Sequence, residues 1–396
     1  MSVPDFVEGN RITLLRNGTE YFPALESAID RAQHEVHLET YIFEHDATGI
    51  RISEALKRAA RRDVTVRLLL DGFGSQNLPQ EVIQSMLKAG VQVLIFRKEI
   101  SPFGLQRNRL RRMHRKLAVI DANIAFVGGI NVIDDLNHSE PLPPRFDFAI
   151  SIEGPLQSKI ILAARHLWMI VALARLKKRW VKHNEIPCPT NQPCGNQRGA
   201  LVIRDNFRHR HDIEEVYLHA ITNAHSEIII ANAYFLPGIN LRRALSDAAR
   251  RGLRVVLLLQ GRIEHHLQHY ATQALYGSLL DAGIEIYEYH KSFLHAKVAV
   301  IDRHWTTVGS SNIDPFSLLL AREANVVVDD KLFAAELRLC LESAMVEEST
   351  RVLQEKWKDQ SWVSRTMSWI SYYLVRLLRG VVGYNRKKNN PEYGKL

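Results

Sequence analysis

The sequence is poor in cysteine, has no long apolar run and does not open like a secretory leader, and each shortage removes a class of protein. Three cysteines, Cys188, Cys194 and Cys340, are too few and too odd in number for a disulfide framework. Reduced thiols in a cytosolic protein are the expectation. No His or Cys cluster beside Cys188 and Cys194 has zinc-ligand spacing, so no metal and no cofactor is expected. Met1 to Asn10 lacks the basic-then-apolar pattern of a signal peptide. The longest apolar run, Leu167 to Ala174, falls well short of the about 18 residues that read as a membrane span. Any action on a membrane is therefore expected from its surface.

What is present is a well-supplied core and excess positive charge. The composition is 46% hydrophobic, enough for two packed domains in 396 residues. Lys and Arg number 52 against 43 Asp and Glu, a net charge of +9. That balance favours an acidic partner, whether nucleic acid, anionic lipid or a phosphate-bearing substrate.

The chain also repeats itself. Ala28-Ile29-Asp30-Arg31-Ala32 leads into Glu35 to Phe43, and Ala220-Ile221-Thr222-Asn223-Ala224 leads into Glu227 to Phe235. Each reads as a helix end followed by a buried strand. A basic helix and a second apolar strand follow in both halves, ending at Gly72 and at Gly261. Helices alternating with apolar strands predict an α/β fold whose strands are covered on both faces. Residues 184–199, rich in Pro and Cys, read as the linker between the halves.

The third correspondence carries the chemistry. His114-Arg115-Lys116 runs through an apolar stretch to Asp121 and then to Gly128-Gly129-Ile130-Asn131. His295-Ala296-Lys297 runs likewise to Asp302 and to Gly309-Ser310-Ser311-Asn312. On a strand, residues two apart share a face, so each His projects with its Lys. A phosphodiester needs a nucleophile, an acid for the departing alkoxide and positive charge around its free oxygens. The two histidines supply the first two. Lys116, Lys297, Asn131, Asn312 and Ser310 are candidates to hold the phosphate. One such motif could arise by chance; two inside repeated halves are hard to obtain that way.

These residues resemble the paired His-Lys-Asp motifs of the phospholipase D superfamily, over roughly residues 8 to 345. Glu39-Thr40-Tyr41-Ile42, Arg111 to Lys116, Ala231 to Gly238 and Val308 to Pro315 look like its bacterial cardiolipin synthase branch, in the short form without amino-terminal spans. The resemblance implies two duplicated α/β/α domains, 8–183 and 200–350, with one active site at their interface. It implies a metal-free ping-pong reaction, with His114 as nucleophile and His295 as acid and base; the repeat leaves the reverse assignment open. Two phosphatidylglycerols would become cardiolipin and glycerol at the cytoplasmic face of a bacterial membrane. Lipid hydrolysis, phosphatidylethanolamine as donor, a nuclease and a silent lipid-binding module are the rival readings. Asp121 and Asp302 belong to the catalytic motifs but lie far along their strands, so they are expected to support the site from behind; Asp302 is also a candidate contact for a histidine of the other half. Asp147 and Glu323 are candidate histidine-orienting carboxylates or ordinary strand-edge acids.

Two segments suggest anionic lipid rather than nucleic acid as partner. The stretch from Gly90 to His114 is longer than its counterpart from Gly283 to His295 and holds Arg97, Lys98, Arg107, Arg109, Arg111 and Arg112, with Arg115 just beyond. It reads as a basic flap at the site mouth. In the tail, 351–396, a helical wheel puts Arg365, Ser368, Tyr372, Arg376 and Arg379 on one stripe. Val363, Met367, Ile370, Leu374, Leu378 and Val381 lie opposite, with Trp362, Trp369 and Tyr373 along a border. Such a helix suits a bilayer interface or a protein core. Ile160 to Trp180 is a second candidate, for the membrane or for packing between domains.

Overall fold

The computed structural model describes residues 4–97, 111–136, 142–181, 192–205, 208–314, 321–358 and 362–384. The first half runs β1 (Val7–Arg16), α1 (Asn17–Arg31), β2 (Glu35–Thr40), α2 (Ala47–Arg61), β3 (Thr65–Asp71), α3 (Gln80–Lys88), β4 (Gln92–Phe96), β5 (Leu117–Ile120), β6 (Ile124–Gly128), β7 (Phe148–Glu153) and α4 (Leu156–Ala174). The second runs β8 (Gln197–Arg204), α5 (Asp212–Thr222), β9 (Glu227–Asn232), α6 (Ile239–Arg250), β10 (Arg254–Gln260), α7 (His266–Gln273), α8 (Tyr276–Leu280), β11 (Glu285–Tyr289), β12 (Lys297–Ile301), β13 (Trp305–Gly309), β14 (Glu323–Asp329) and α9 (Lys331–Glu347). After it come β15 (Ser349–Arg351), α10 (Gln354–Lys358) and α11 (Trp362–Tyr384). The second half thus begins at Gln197, inside the stretch expected to be linker.

All fifteen strands among the described residues join one sheet, in the order β15-β11-β10-β9-β12-β13-β14-β8-β1-β7-β6-β5-β2-β3-β4. Read outward from the β8–β1 seam, the two sides carry the same connections, so the fold is a duplicated α/β unit fused edge to edge. At the seam β1 and β8 pair antiparallel, Val7 with Gly199 and Asn10 with Gln197. Fusing these edges leaves no open strand between the halves.

The central strands are parallel, β2 with β3 and β9 with β10, and read as unbroken apolar runs because helices cover both faces. Leu68, Leu70, Leu257 and Leu259 are buried, each contributing about 1.5–3 kcal/mol. One core cluster spans the seam and takes residues from both halves, among them Ile150, Ile152, Ile160, Val326 and Leu337.

The Ile160 to Trp180 candidate resolves into α4, the one described helix long and apolar enough to cross a bilayer. Half of that apolar stretch is buried, with Ile160, Ala164, Leu167 and Trp168 against the sheet. Helix α11 behaves in the opposite way. It packs on α7 and buries Ser368, Ser371, Tyr372 and Val375, while Met367, Trp369, Ile370, Tyr373, Leu374 and Leu377 face solvent. Ser368 and Tyr372, both expected on the polar stripe, are thus turned inward, while Arg376 of the same stripe stays exposed.

Candidate active site

The two motifs meet because each half zips onto the other beside its histidine. His114 donates its backbone N–H to Arg322 O at 2.9 Å, and Arg322 N donates to Arg112 O at 2.8 Å. The matching pair is His295 N to Phe146 O and Phe146 N to Phe293 O, both 2.9 Å. The next residue along each zipped segment is an acid: Glu323 after Arg322, Asp147 after Phe146. The carboxylates are thereby exchanged between halves. His114 Nδ1 lies 2.9 and 3.1 Å from the Glu323 oxygens, and His295 Nδ1 lies 2.6 Å from Asp147 Oδ2.

With Nδ1–H donating to a carboxylate, each ring presents the lone pair of Nε2 to a substrate. A histidine that attacks phosphorus, or takes a proton from an alcohol, needs this tautomer; one that protonates a departing alkoxide needs the same ring with a second proton on Nε2.

The lysines sit underneath. Lys116 and Lys297 are buried, and each ammonium donates to the carbonyl of its own motif's histidine, Lys116 Nζ to His114 O at 2.8 Å. Lys297 Nζ is also 2.9 Å from His295 Nδ1. Since that nitrogen's proton goes to Asp147, the ammonium acts there as a neighbouring charge. Arg115, between His114 and Lys116, turns the other way and pairs with buried Glu39 at 2.8 Å.

Burial pushes both imidazoles below their ordinary value. Glu323 partly offsets this at His114, whereas the Lys297 and Lys116 charges drive His295 further down. Burial lowers Lys116 to about 7 and Lys297 to about 8, and raises Asp147 to about 6. The side chains of the site are therefore short of negative charge. A bound phosphodiester supplies it, drawing the lysines back to the ammonium form and one imidazole to imidazolium.

A difference between the halves follows from side-chain length. A Cβ on Gly129 would stand 2.6 Å from Asp147 Oδ2, so the carboxylate occupies the space a side chain would need. In the second half Ser310 fills the equivalent position, and its hydroxyl donates to Glu323 Oε2 at 2.6 Å. Ser310, expected to hold the phosphate, instead fixes the acid behind His114. Asn131 Oδ1 accepts from Ile42 N at 3.1 Å, whereas buried Asn312 Oδ1 has no partner among the described residues and can accept from a hydroxyl.

Asp121 and Asp302 are not at the histidines. They occupy left-handed positions, φ 52° and 50°, in the hairpin turns that close β5–β6 and β12–β13. Lys116 and Asp121 are roughly 15 Å apart along the strand. Asp121 accepts from Gln33 N, His34 N and Glu35 N at 2.8–2.9 Å. Asp302 accepts from His225 N, Ser226 N and Glu227 N at 2.8–3.2 Å. The expectation that Asp302 contacts a histidine of the other half is corrected: its carboxylate is committed to these amides, which open β9.

Residues 98–110, most of the expected basic flap, lie outside the described residues, as do Cys188 and the end of the tail. Of the flanking cations, Arg112 lies over the Phe73 ring and near Asp71, and Arg97 over Phe96. Among the described residues no group of three or more His, Cys, Asp or Glu is placed to hold a metal ion.

Known proteins resemble this chain along most of its length. Residues 25–137 and 217–344 match the family model described as cardiolipin synthase, PLD-like domain. The chain is 38% identical over 377 residues to cardiolipin synthase B of Shigella flexneri, covering 95% of this chain and 90% of that one. The chain belongs to the phospholipase D-like cardiolipin synthase family. A further member, cardiolipin synthase of Geobacillus kaustophilus, is 32% identical over 80% of this chain and 62% of its own. The phosphatidylserine synthase of Haemophilus influenzae shares the fold, with TM-score 0.67 and 11% identity over 94% of each chain.

The two His-Lys-Asp motifs pass over several residues that the structure brings to the site. Asp71, the last residue of β3, accepts from Met113 N at 2.8 Å, and Gln260, the last of β10, accepts from Leu294 N at 2.8 Å. Each clamps the residue before a histidine; the equivalent strand ends were the available signal. Tyr41 meets the His114 ring edge-on at 4.8 Å, and Lys116 Nζ lies 5.4 Å from the Tyr41 ring. Beside His295, Tyr234 donates to Glu264 Oε2 at 2.8 Å. Arg145 lies close enough to act on Asp147, His295 and Glu264.

Proposed function

We propose that this protein transfers a phosphatidyl group from one phosphatidylglycerol to another, forming cardiolipin and glycerol. His114 Nε2 attacks phosphorus, and the bond to the glycerol oxygen breaks as His295 gives that oxygen a proton. The phosphatidyl group is then held on His114. His295 next takes the proton from a hydroxyl of a second phosphatidylglycerol, whose oxygen attacks phosphorus and releases His114. Lys116 and Lys297, with the side-chain N–H of Asn312, hold the free phosphate oxygens, while Glu323 and Asp147 keep the two rings in their working tautomer.

The observation that carries this reading is the reciprocal exchange of carboxylates between two His-Lys pairs, in a chain resembling cardiolipin synthase B along nearly its whole length. The solvent-facing apolar side of α11 supports peripheral attachment to the cytoplasmic face of a bacterial membrane, with anionic phospholipid rather than nucleic acid as partner.

The test is mass spectrometry of lipids after the protein meets phosphatidylglycerol vesicles, alongside His114→Ala. Cardiolipin with free glycerol, absent for the variant, is expected. Phosphatidic acid alone would replace transfer with hydrolysis. A phosphorylated peptide containing His295 would reverse the two histidine roles.

A further inference from the structure

A groove of about 640 Å³ runs along the outer side of the second half, between α6, α8 and α11. Its lining includes Arg242, Arg243, Arg250, Trp357 and Trp369, and neither histidine of the site. Arg242, Ser246 and Arg250 are four residues apart in turn, so α6 presents them as one row about 12 Å long. Arg242 and Arg243 have no ion pair among the described residues. Arg250 has only an exposed pair with Asp247 at 3.2 Å, of little energetic weight. The groove's lining acid, Asp281, already accepts from Gln354 Nε2 at 2.7 Å.

Trp369 lines this groove on one side and an apolar hollow on the other, which it shares with Ile370, Tyr373, Leu374 and Leu377. Guanidinium groups, then an indole, then an exposed aliphatic face follow one another across the surface. A bilayer lipid has the same order: phosphate, interfacial zone, acyl chain. Arginine forks suit phosphate oxygens, and tryptophan settles at headgroup depth.

We propose that this groove docks the headgroup of an anionic phospholipid of the bilayer, at a site separate from the catalytic histidines. The phosphate sits against Arg242 and Arg243, the Trp369 ring lies at the interface, and acyl chain covers Ile370 and Leu374. The proposal rests on the reading of the protein as a membrane-surface enzyme, not on which lipid reaction it performs. A lipid held there anchors α11 against α7, the helix that follows Glu264 and His265 beside the site.

The test measures binding of the full-length protein to vesicles of phosphatidylglycerol in phosphatidylcholine. Arg242→Ala with Arg243→Ala is expected to weaken binding about 30-fold, from about 1 kcal/mol per cation near an anionic surface. Arg242→Lys with Arg243→Lys keeps the charge but loses the fork, and is expected to recover only part of the affinity. Unchanged binding by the alanine pair overturns the site. Full recovery by the lysine pair also overturns it, leaving diffuse charge attraction. Displacement of the vesicles by glycerol 3-phosphate at matching phosphate concentration would assign the groove to a soluble ligand. Turnover of phosphatidylglycerol in detergent micelles separates the two readings: the alanine pair is expected to retain it, and His295→Ala to lose it while binding vesicles normally. Should wild type show no turnover while its vesicle binding still depends on the arginines, the catalytic reading fails and the docking site stands.

Discussion

Asp147 and His295 come from different halves of the chain, yet their side chains lie 2.6 Å apart. The bond sets the tautomer of a reacting ring, so Asp147→Asn should lower kcat by about 10³ or more with little change in KM. Glu323→Gln should do the same through His114. Steady-state kinetics with both variants check this; a loss under about threefold in either would remove its carboxylate from the mechanism.

The Gly129–Asp147 and Ser310–Glu323 pairings make a second expectation. Gly129→Ala puts a methyl where the Asp147 carboxylate lies, so it should cut kcat strongly while the protein stays folded. Ser310→Ala removes one bond to Glu323 and should cost about tenfold, the scale of one lost hydrogen bond to a charged group. Circular dichroism and kinetics on the same samples separate these effects from unfolding.

Asp121 and Asp302 should matter for stability instead. Removing the acceptor of three amide N–H groups by Asp302→Ala should cost about 1–2 kcal/mol, read as a lower Tm, with kcat of the folded protein within about threefold of wild type. Burial raises the Asp302 carboxyl, but the amide hydrogen bonds outweigh it and hold the group below its usual value. The folded pKa is thus below the unfolded one. The contribution is full above the unfolded value and disappears as pH falls through the folded one. Asp302→Asn should therefore flatten the loss of stability below about pH 4. A steep fall in kcat without a change in Tm would return Asp302 to the chemistry.

The pH profile should be bell-shaped. Asp147, raised to about 6, loses its grip on His295 as it protonates, giving an acid limb. Lys116 and Lys297, lowered to about 7 and 8, lose charge as pH rises, so KM should climb on the alkaline side. The limbs belong to the coupled cluster rather than to single residues. Binding a phosphate analogue near neutral pH should take up protons, measurable by calorimetry in buffers of different ionisation heat. No uptake would mean that the cluster is already fully charged.

The exposed face of α11 is tested by Ile370→Asp with Leu374→Asp. Both residues are solvent-facing, so Tm should barely move, whereas vesicle binding should weaken at least tenfold. Equal binding by wild type and variant would leave α11 without a membrane role.

Much of this was legible in the sequence, for physical reasons. Apolar runs such as Val255 to Leu259 announce parallel strands, and the doubled His-x-Lys spacing announces the site, because periodicity and spacing are local properties. The pairing of Glu323 with His114 was open among candidates, since contact between the halves depends on how β1 meets β8. That Asp302 lies far from its own histidine was legible, since an extended strand separates them; that its carboxylate holds the amides opening β9 was not, because those amides come from a distant part of the chain. Ser310 misled because small residues near an anion read as donors to it, and only the fold shows a carboxylate behind the hydroxyl. The inward turn of Tyr372 was hidden because a helical wheel reports which residues share a side, not which side the protein takes.

The crossed carboxylates also bear on how the two halves can change over generations. Neither half carries a complete working histidine, so neither can be discarded, silenced or replaced alone. A longer acid at position 147 would need space that Gly129 now gives to a shorter one, and a shorter acid at 323 would strand the hydroxyl of Ser310. Most of the duplicated surface is free to drift apart, but at this exchange each half's inheritance is written partly in the other.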